Sequence, residues 1–207
     1  MKPSLVLSID AMGGDDAPAI VIDGAAHFLK GRRRPVGFLL HGDEAQLAEL
    51  LKRHPALEAV SEIRHTASEV DMSAKPSEAV RRSRGSSLWN AVQSVKAGEA
   101  QVAVSAGNTG ALMAISKVIL RMKPGVHRPA IAASWPAPEG FSTVLDVGAN
   151  VEITPAQLVE FAVLGEAFHR AVHGEARPTV GLLNVGQEEL KGSQMIRDAD
   201  AMLREAG

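Results

Sequence analysis

The sequence predicts an α/β protein, a three-layer arrangement in which a mostly parallel sheet is flanked by helices on both faces. Three observations carry this reading. Short apolar runs alternate with helical patterns along almost the whole chain, most joins are short, and four of the runs end in loops rich in Gly, Asn and Asp. Such alternation marks crossover units, whose strands lie parallel and whose helices return over the sheet. At 207 residues, 45% apolar and 22% charged, the chain is long enough to bury a core of that type.

The first strand is expected over 5–9, where Leu-Val-Leu-Ser-Ile runs into Asp10. A helix follows over 17–30, with Gly31 in place for a left-handed C-cap. Strand 36–40, helix 44–53 and strand 61–65 continue the pattern. Helices are expected over 77–82 and 87–96, the first preceded by Pro76 and the second by the hydroxyl of Ser86. Strand 101–105 then meets helix 109–121. Strands 130–134 and 143–147 lie too close in sequence for a crossover helix, so they are expected to pair as an antiparallel hairpin that makes the sheet mixed. Helix 155–173 opens on Thr154-Pro155, an N-cap hydroxyl before a proline at the first helical position, and closes on Gly174, a second left-handed C-cap. Strand 179–184 and helix 193–205 complete the series. No internal repeat, low-complexity tract or linker interrupts it, so residues 1–207 are expected to form one domain. The chain stops at Gly207 directly after a helix, where an alternating sheet would continue, and the expectation is a domain lacking its C-terminal portion.

Composition removes several functions. A formal net charge of −2, with five Phe, two Trp and no Tyr, offers neither a basic footprint nor a stacking platform for nucleic acid. The absence of Cys excludes disulfides, thiolate metal sites and a cysteine nucleophile. The apolar run at the N-terminus reaches Asp10 too soon for a signal peptide, and no stretch approaches the roughly 18 apolar residues of a membrane span. A cytoplasmic protein is expected.

The chemistry is sought in the four loops. They are 10–18 (Asp-Ala-Met-Gly-Gly-Asp-Asp-Ala-Pro), 105–111 (Ser-Ala-Gly-Asn-Thr-Gly-Ala), 146–150 (Asp-Val-Gly-Ala-Asn) and 184–192 (Asn-Val-Gly-Gln-Glu-Glu-Leu-Lys-Gly). The second is the most informative. A strand that breaks into glycines, a hydroxyl and an amide just before a helix leaves backbone N–H groups unpaired at the positive end of the helix dipole, which is an anion site. Glycine lets the backbone close around a phosphate that a Cβ would exclude. Any one such junction reads equally as a tight turn, and Asp10 or Asp146 as a turn-stabilising side chain. Four together, at the carboxyl ends of strands in an open α/β sheet, favour one shared anion-binding crevice.

Sharper motifs are missing. No P-loop, dinucleotide fingerprint or serine nucleophile elbow occurs. The seven His residues (27, 41, 54, 65, 127, 169 and 173) show no zinc spacing, His169 and His173 being explained as cations in the last turn of a helix. Asp15-Asp16 alone is weak evidence for a metal, and none is expected. Residues 75–87, with Arg81, Arg82 and Arg84, read either as a guide for an acidic partner or phosphorylated cofactor or as a solvated helix face. Arg32-Arg33-Arg34 reads as solvated charge at a helix end.

Taken in order, Asp10-Ala-Met-Gly-Gly-Asp15 with Ala17-Pro18, Lys75-Pro76 with Ser86-Ser87, Ser105 to Leu112, Arg128-Pro129, Asp146 to Asn150, and Leu182-Leu-Asn-Val-Gly186 with Glu188-Glu189 and Lys191-Gly192 resemble the PlsX phosphate acyltransferases. The resemblance covers essentially the whole chain. It implies a fold like that of phosphotransacetylases and isocitrate/isopropylmalate dehydrogenases, and it implies a dimer. It also implies a reaction in which an acyl group passes from acyl carrier protein to inorganic phosphate. The acyl phosphate then supplies a membrane glycerol-3-phosphate acyltransferase that begins phospholipid synthesis. Peripheral membrane contact is expected through the absent segment. No cofactor is implied. Phosphate is already anionic and a thiolate leaves readily, so the site needs positioning and oxyanion stabilisation rather than a strong acid or base. On this reading phosphate sits on Ser105, Gly107, Asn108, Thr109 and Gly110, with Asp10, Gly13, Gly14 and Gly186 contributing to its pocket. Lys191 neutralises developing charge, and Asn150 or Asn184 donates to the oxyanion. Two alternatives stay open: a phosphotransacetylase-type enzyme using acyl-coenzyme A, and a phosphate-binding module without catalysis.

Overall fold

Strand β1 (Leu5–Asp10) turns Leu5, Leu7 and Ile9 to one face of its sheet and organises the packing around it. The computed structural model describes residue 3 and residues 5–32, 34–186 and 192–206. They fall into two compact units, Met1–Arg121 and Met122–Gly207.

In the first unit β1 leads through α1 (Ala19–Lys30) to β2 (Val36–Gly42), and α2 (Glu44–Leu51) and the short α3 (Pro55–Glu58) lead to β3 (Ser61–His65). Helices α4 (Pro76–Arg82) and α5 (Ser87–Lys96) precede β4 (Val102–Val104), and α6 (Thr109–Leu120) follows it. The strands form one sheet of order β3-β2-β1-β4 in which every pair is parallel. Leu5, Leu7 and Ile9 of β1, with Val36, Phe38 and Leu40 of β2, pack on Ile22, Leu47, Leu51 and Leu57 of α1, α2 and α3. The opposite face carries α5, and Leu88, Val92, Ala111, Ile115 and Ile119 of α5 and α6 make a second cluster with Ala79 of α4 and Ala103 of β4. Helix, sheet and helix are the three layers expected. At about 25 cal/mol per Å2 of apolar area, closure of these two layers is the main drive for folding the unit.

One polar group is sealed in that second face. His41 is 3% exposed and hydrogen-bonds through Nε2 to Ser8 Oγ at 2.9 Å and Ser94 Oγ at 3.4 Å. Burial, and then the neighbouring Arg64, hold its pKa down at about 4 against the opposing pull of Glu99.

The second unit holds a hairpin, β5 (Ala133–Ala137) and β6 (Gly140–Val144), the long α7 (Pro155–His173) and α8 (Gln194–Ala206). The hairpin is antiparallel as expected, but it forms a separate two-stranded sheet, so the four-stranded sheet is purely parallel rather than mixed. Its strands also run further towards the turn than expected. Pairing continues through Pro136, which a two-stranded ribbon tolerates because each strand is an edge. Residues 179–184, expected as a strand, are irregular, since no described strand lies beside them to complete a ladder; Val180 and Leu183 are exposed. Thr154 caps α7 reciprocally with Gln157, and Gly174 closes it at φ 76°. Gly31 departs from expectation: its φ is −92°, and Arg32 N–H closes the turn on the Leu29 carbonyl without a left-handed residue.

Candidate functional site

The strand order creates a switch point between β1 and β4. The chain leaves β1 for α1 on one face and leaves β4 for α6 on the other, the arrangement that in open α/β sheets marks the ligand-binding crevice at the carboxyl edge. Loops 10–18 and 105–111 flank it. The parallel register sets Ile9 beside Val104, so the next residues, Asp10 and Ser105, stand together at the edge.

Asp10 is 2% exposed. Its Oδ2 accepts a hydrogen bond from Ser105 Oγ at 2.7 Å, and Ser105 Oγ in turn accepts from the Gly107 N–H at 3.0 Å. This clasp joins two segments 95 residues apart. It leaves Asp10 Oδ1 buried without a hydrogen-bond partner. Two glycines make the closeness possible. A Cβ on Gly13 would collide with the Asp10 carboxylate, and one on Gly107 would stand 3.1 Å from Gly13 Cα. Gly14 adopts φ 120°, open to glycine and strained for any side chain, against the Ala106 backbone.

Asn108 holds the helix side of the crevice. Its Oδ1 accepts from the Ala111 N–H, capping α6, while Nδ2 donates to the carbonyls of Asp71 (3.3 Å), Met72 (2.8 Å) and Ala74 (2.9 Å). The side chain expected on the anion is engaged in holding the loop. Thr109, exposed, and Gly110 lie in the first turn, where helical N–H groups have no intrahelical acceptor and the dipole is positive. Gly110 lies against Pro76, where a Cβ would come within 2.9 Å of its Cγ, so the start of α4 stands beside the start of α6. Sequence reasoning marked the Lys75-Pro76 segment but gave it no place here. It missed residues 71–74 altogether, because carbonyl acceptors leave no residue-type signature.

The other two loops belong to the second unit. Asp146 Oδ1 accepts from the Ile131 N–H at 2.8 Å and Oδ2 from the Asn150 N–H at 2.7 Å. Asn150 Nδ2 donates to the Pro129 carbonyl and to Asp146 Oδ2, tying the Arg128-Pro129 motif to this loop. Burial pushes the Asp146 carboxyl up, but the hydrogen bonds from Ile131, Asn150 and Ala149 together hold it below the usual carboxylate range. Both residues border a cavity of about 540 Å3 that Phe161 and His169 also line. His169 bonds Thr143 Oγ1 at 2.9 Å and Glu175 Oε2 at 3.2 Å, a fuller explanation of its presence than the helix dipole alone. In the fourth loop Asn184 Nδ2 donates to the Gly186 carbonyl at 3.2 Å. Lys191 lies outside the described residues. Among the described residues no three His, Asp or Glu side chains are placed to hold a metal ion, and no helix is long and apolar enough to cross a membrane.

This chain is similar to proteins whose names bear on the site. A protein named phosphate acyltransferase from Maricaulis maris is 65% identical over 97% of this chain and 57% of its own length. A namesake from Caulobacter vibrioides is 58% identical over 99% of this chain and 57% of its own length. The chain thus spans about 57% of the length of these curated relatives. Among solved structures, the EutD phosphotransacetylase from Staphylococcus aureus superposes with a TM-score of 0.67 at 20% identity, over 98% of this chain and 64% of that one, which establishes a shared phosphotransacetylase-like fold. A family model described as "Fatty acid synthesis protein" matches residues 5–207. With that match over nearly its whole length, the chain belongs to the fatty acid synthesis protein family, the PlsX family whose motifs it carries.

Proposed function

We propose that this chain is the phosphate-binding and catalytic part of an acyltransferase that moves a fatty acyl group from the thioester of acyl carrier protein to inorganic phosphate. The observation that carries the reading is the β1/β4 crevice, where a glycine-lined clasp stands beside the open N-terminus of α6. Family membership and the relatives' name support it.

A phosphate oxygen attacks the thioester carbon, the C–O bond forms, the C–S bond breaks, and the proton that hydrogenphosphate brings leaves with the thiol. Ser105, Gly107, Asn108, Thr109 and Gly110 form the cradle, with phosphate on first-turn amides and the Thr109 hydroxyl; the Gly107 amide and the Asn108 side chain keep these in place. Asp10, Gly13 and Gly14 form the opposing wall. Lys191 neutralises developing charge, Asn184 rather than Asn150 donates to the oxyanion, because the Asn150 amide is engaged by the Pro129 carbonyl and Asp146, and Gly186 allows close approach. The protein works as a homodimer in the cytoplasm, at the membrane surface, where its product passes to a glycerol-3-phosphate acyltransferase.

The test is phosphate-dependent loss of thioester with two donors. Acyl phosphate formed from acyl carrier protein, with acyl-coenzyme A a poor donor, is the expected result. The reverse preference would make the protein a phosphotransacetylase-type enzyme, and phosphate binding with neither donor consumed would leave a binding module.

A further inference from the structure

We propose that Asp10 makes the crevice selective for hydrogenphosphate over sulfate, its unpartnered carboxylate oxygen accepting the proton that a phosphate oxygen carries. The inference rests on the crevice being the phosphate site. Two independent observations meet there. One is the twelve-residue α6, whose first-turn amides open beside loops 10–18 and 105–111. The other is Asp10 itself, 2% exposed, with Oδ2 taken by Ser105 and Oδ1 buried without a partner.

A buried carboxylate oxygen left without a donor is expensive, and a carboxylate beside an anion is repelled unless the anion supplies that donor. Hydrogenphosphate does so, because its dianion keeps one proton near neutral pH. Sulfate, with the same shape and charge, keeps none. Helix N–H groups accept either ion, so the proton is the one difference left for the site to read, and only an acceptor reads it. The clasp fixes that acceptor. Ser105 Oγ holds Oδ2 at 2.7 Å while its own position is set by the Gly107 N–H, so the carboxylate is not free to rotate away. Gly13 packs over Oδ2 and the carboxyl carbon without a side chain, which leaves the clasp its close fit.

Calorimetric titration of the 207-residue chain with sodium phosphate, arsenate and sulfate near neutral pH tests this. Arsenate, which also keeps a proton, should bind within a fewfold of phosphate, and sulfate roughly tenfold to hundredfold more weakly, the worth of one charge-assisted hydrogen bond. In Asp10→Asn the amide offers a donor as well as an acceptor, so phosphate should weaken, sulfate should gain, and the ratio should fall towards one. Equal binding of all three ions by the wild-type chain would overturn the role of Asp10 while leaving an anion site, and this comparison needs no variant to fold. Discrimination that survives in a folded Asp10→Asn would also overturn it. Binding that requires an added divalent cation would place a metal on Oδ1 instead. No anion binding at all would overturn the phosphate-site reading, and this inference with it.

Discussion

Single residues in this protein do two kinds of work, and their variants separate them. Asn108 is a joint: Asn108→Ala removes the α6 cap and frees three carbonyls, and should cost about 2 kcal/mol in chemical unfolding. His41 is a buried neutral group with a folded pKa of about 4. The unfolded imidazole takes up a proton near pH 6.5 and the folded one does not, so its contribution is complete above pH 6.5 and is lost as pH falls towards 4. The slope amounts to up to about 3 kcal/mol and should flatten in His41→Gln, read from denaturant midpoints across that window. Lys191→Ala should lower turnover at least about tenfold with no change in melting temperature, as a charge acting mainly in the transition state requires. A melting temperature that falls in step with activity would make Lys191 structural. Asp10, Ser105 and the glycines were legible in the sequence because glycine and acid at a strand end are informative residue types. The engagement of Asn108 and Asn150 with carbonyls was not, since an amide reads alike whether it faces a ligand or a backbone.

At the scale of elements, caps and glycines decide where helices and loops meet. Thr154→Ala should shorten α7 at its start and cost about 1 kcal/mol, by loss of one half of a reciprocal cap. Gly107→Ala should act differently. Its Cβ would press on Gly13 and the Ser105 hydroxyl, so the clasp must open, and anion affinity should fall by more than the melting temperature suggests. Unchanged phosphate binding in that variant would remove the close approach from the mechanism. Most elements could be read from periodicity and caps, α7 to the residue. The separate hairpin sheet and the irregular 179–184 could not, because β pairing depends on which neighbour is available, and short apolar runs do not encode that.

Across the whole molecule, apolar burial is unevenly shared. The first unit has two packed clusters, one on each face of its sheet, whereas among the described residues of the second only Phe161 and Ala199 are buried apolar side chains. Hydrogen exchange should therefore protect amides of β1, β2 and α5 well beyond those of β5, β6 and α8. Equal protection throughout would mean that apolar burial within each unit does not set its resistance to opening.

The clasp between Asp10 and Ser105 spans 95 residues of sequence. On the ribosome, β1, β2 and β3 with α1, α2 and α3 can collapse as soon as they emerge, from neighbours close along the chain. The clasp has to wait until β4 and the start of α6 have been made and have docked against the free side of β1. Contacts of such long loop closure form late and slowly. Under the phosphate-site reading proposed above, phosphate would bind only chains that have completed this docking, and so would draw the nascent protein towards that arrangement.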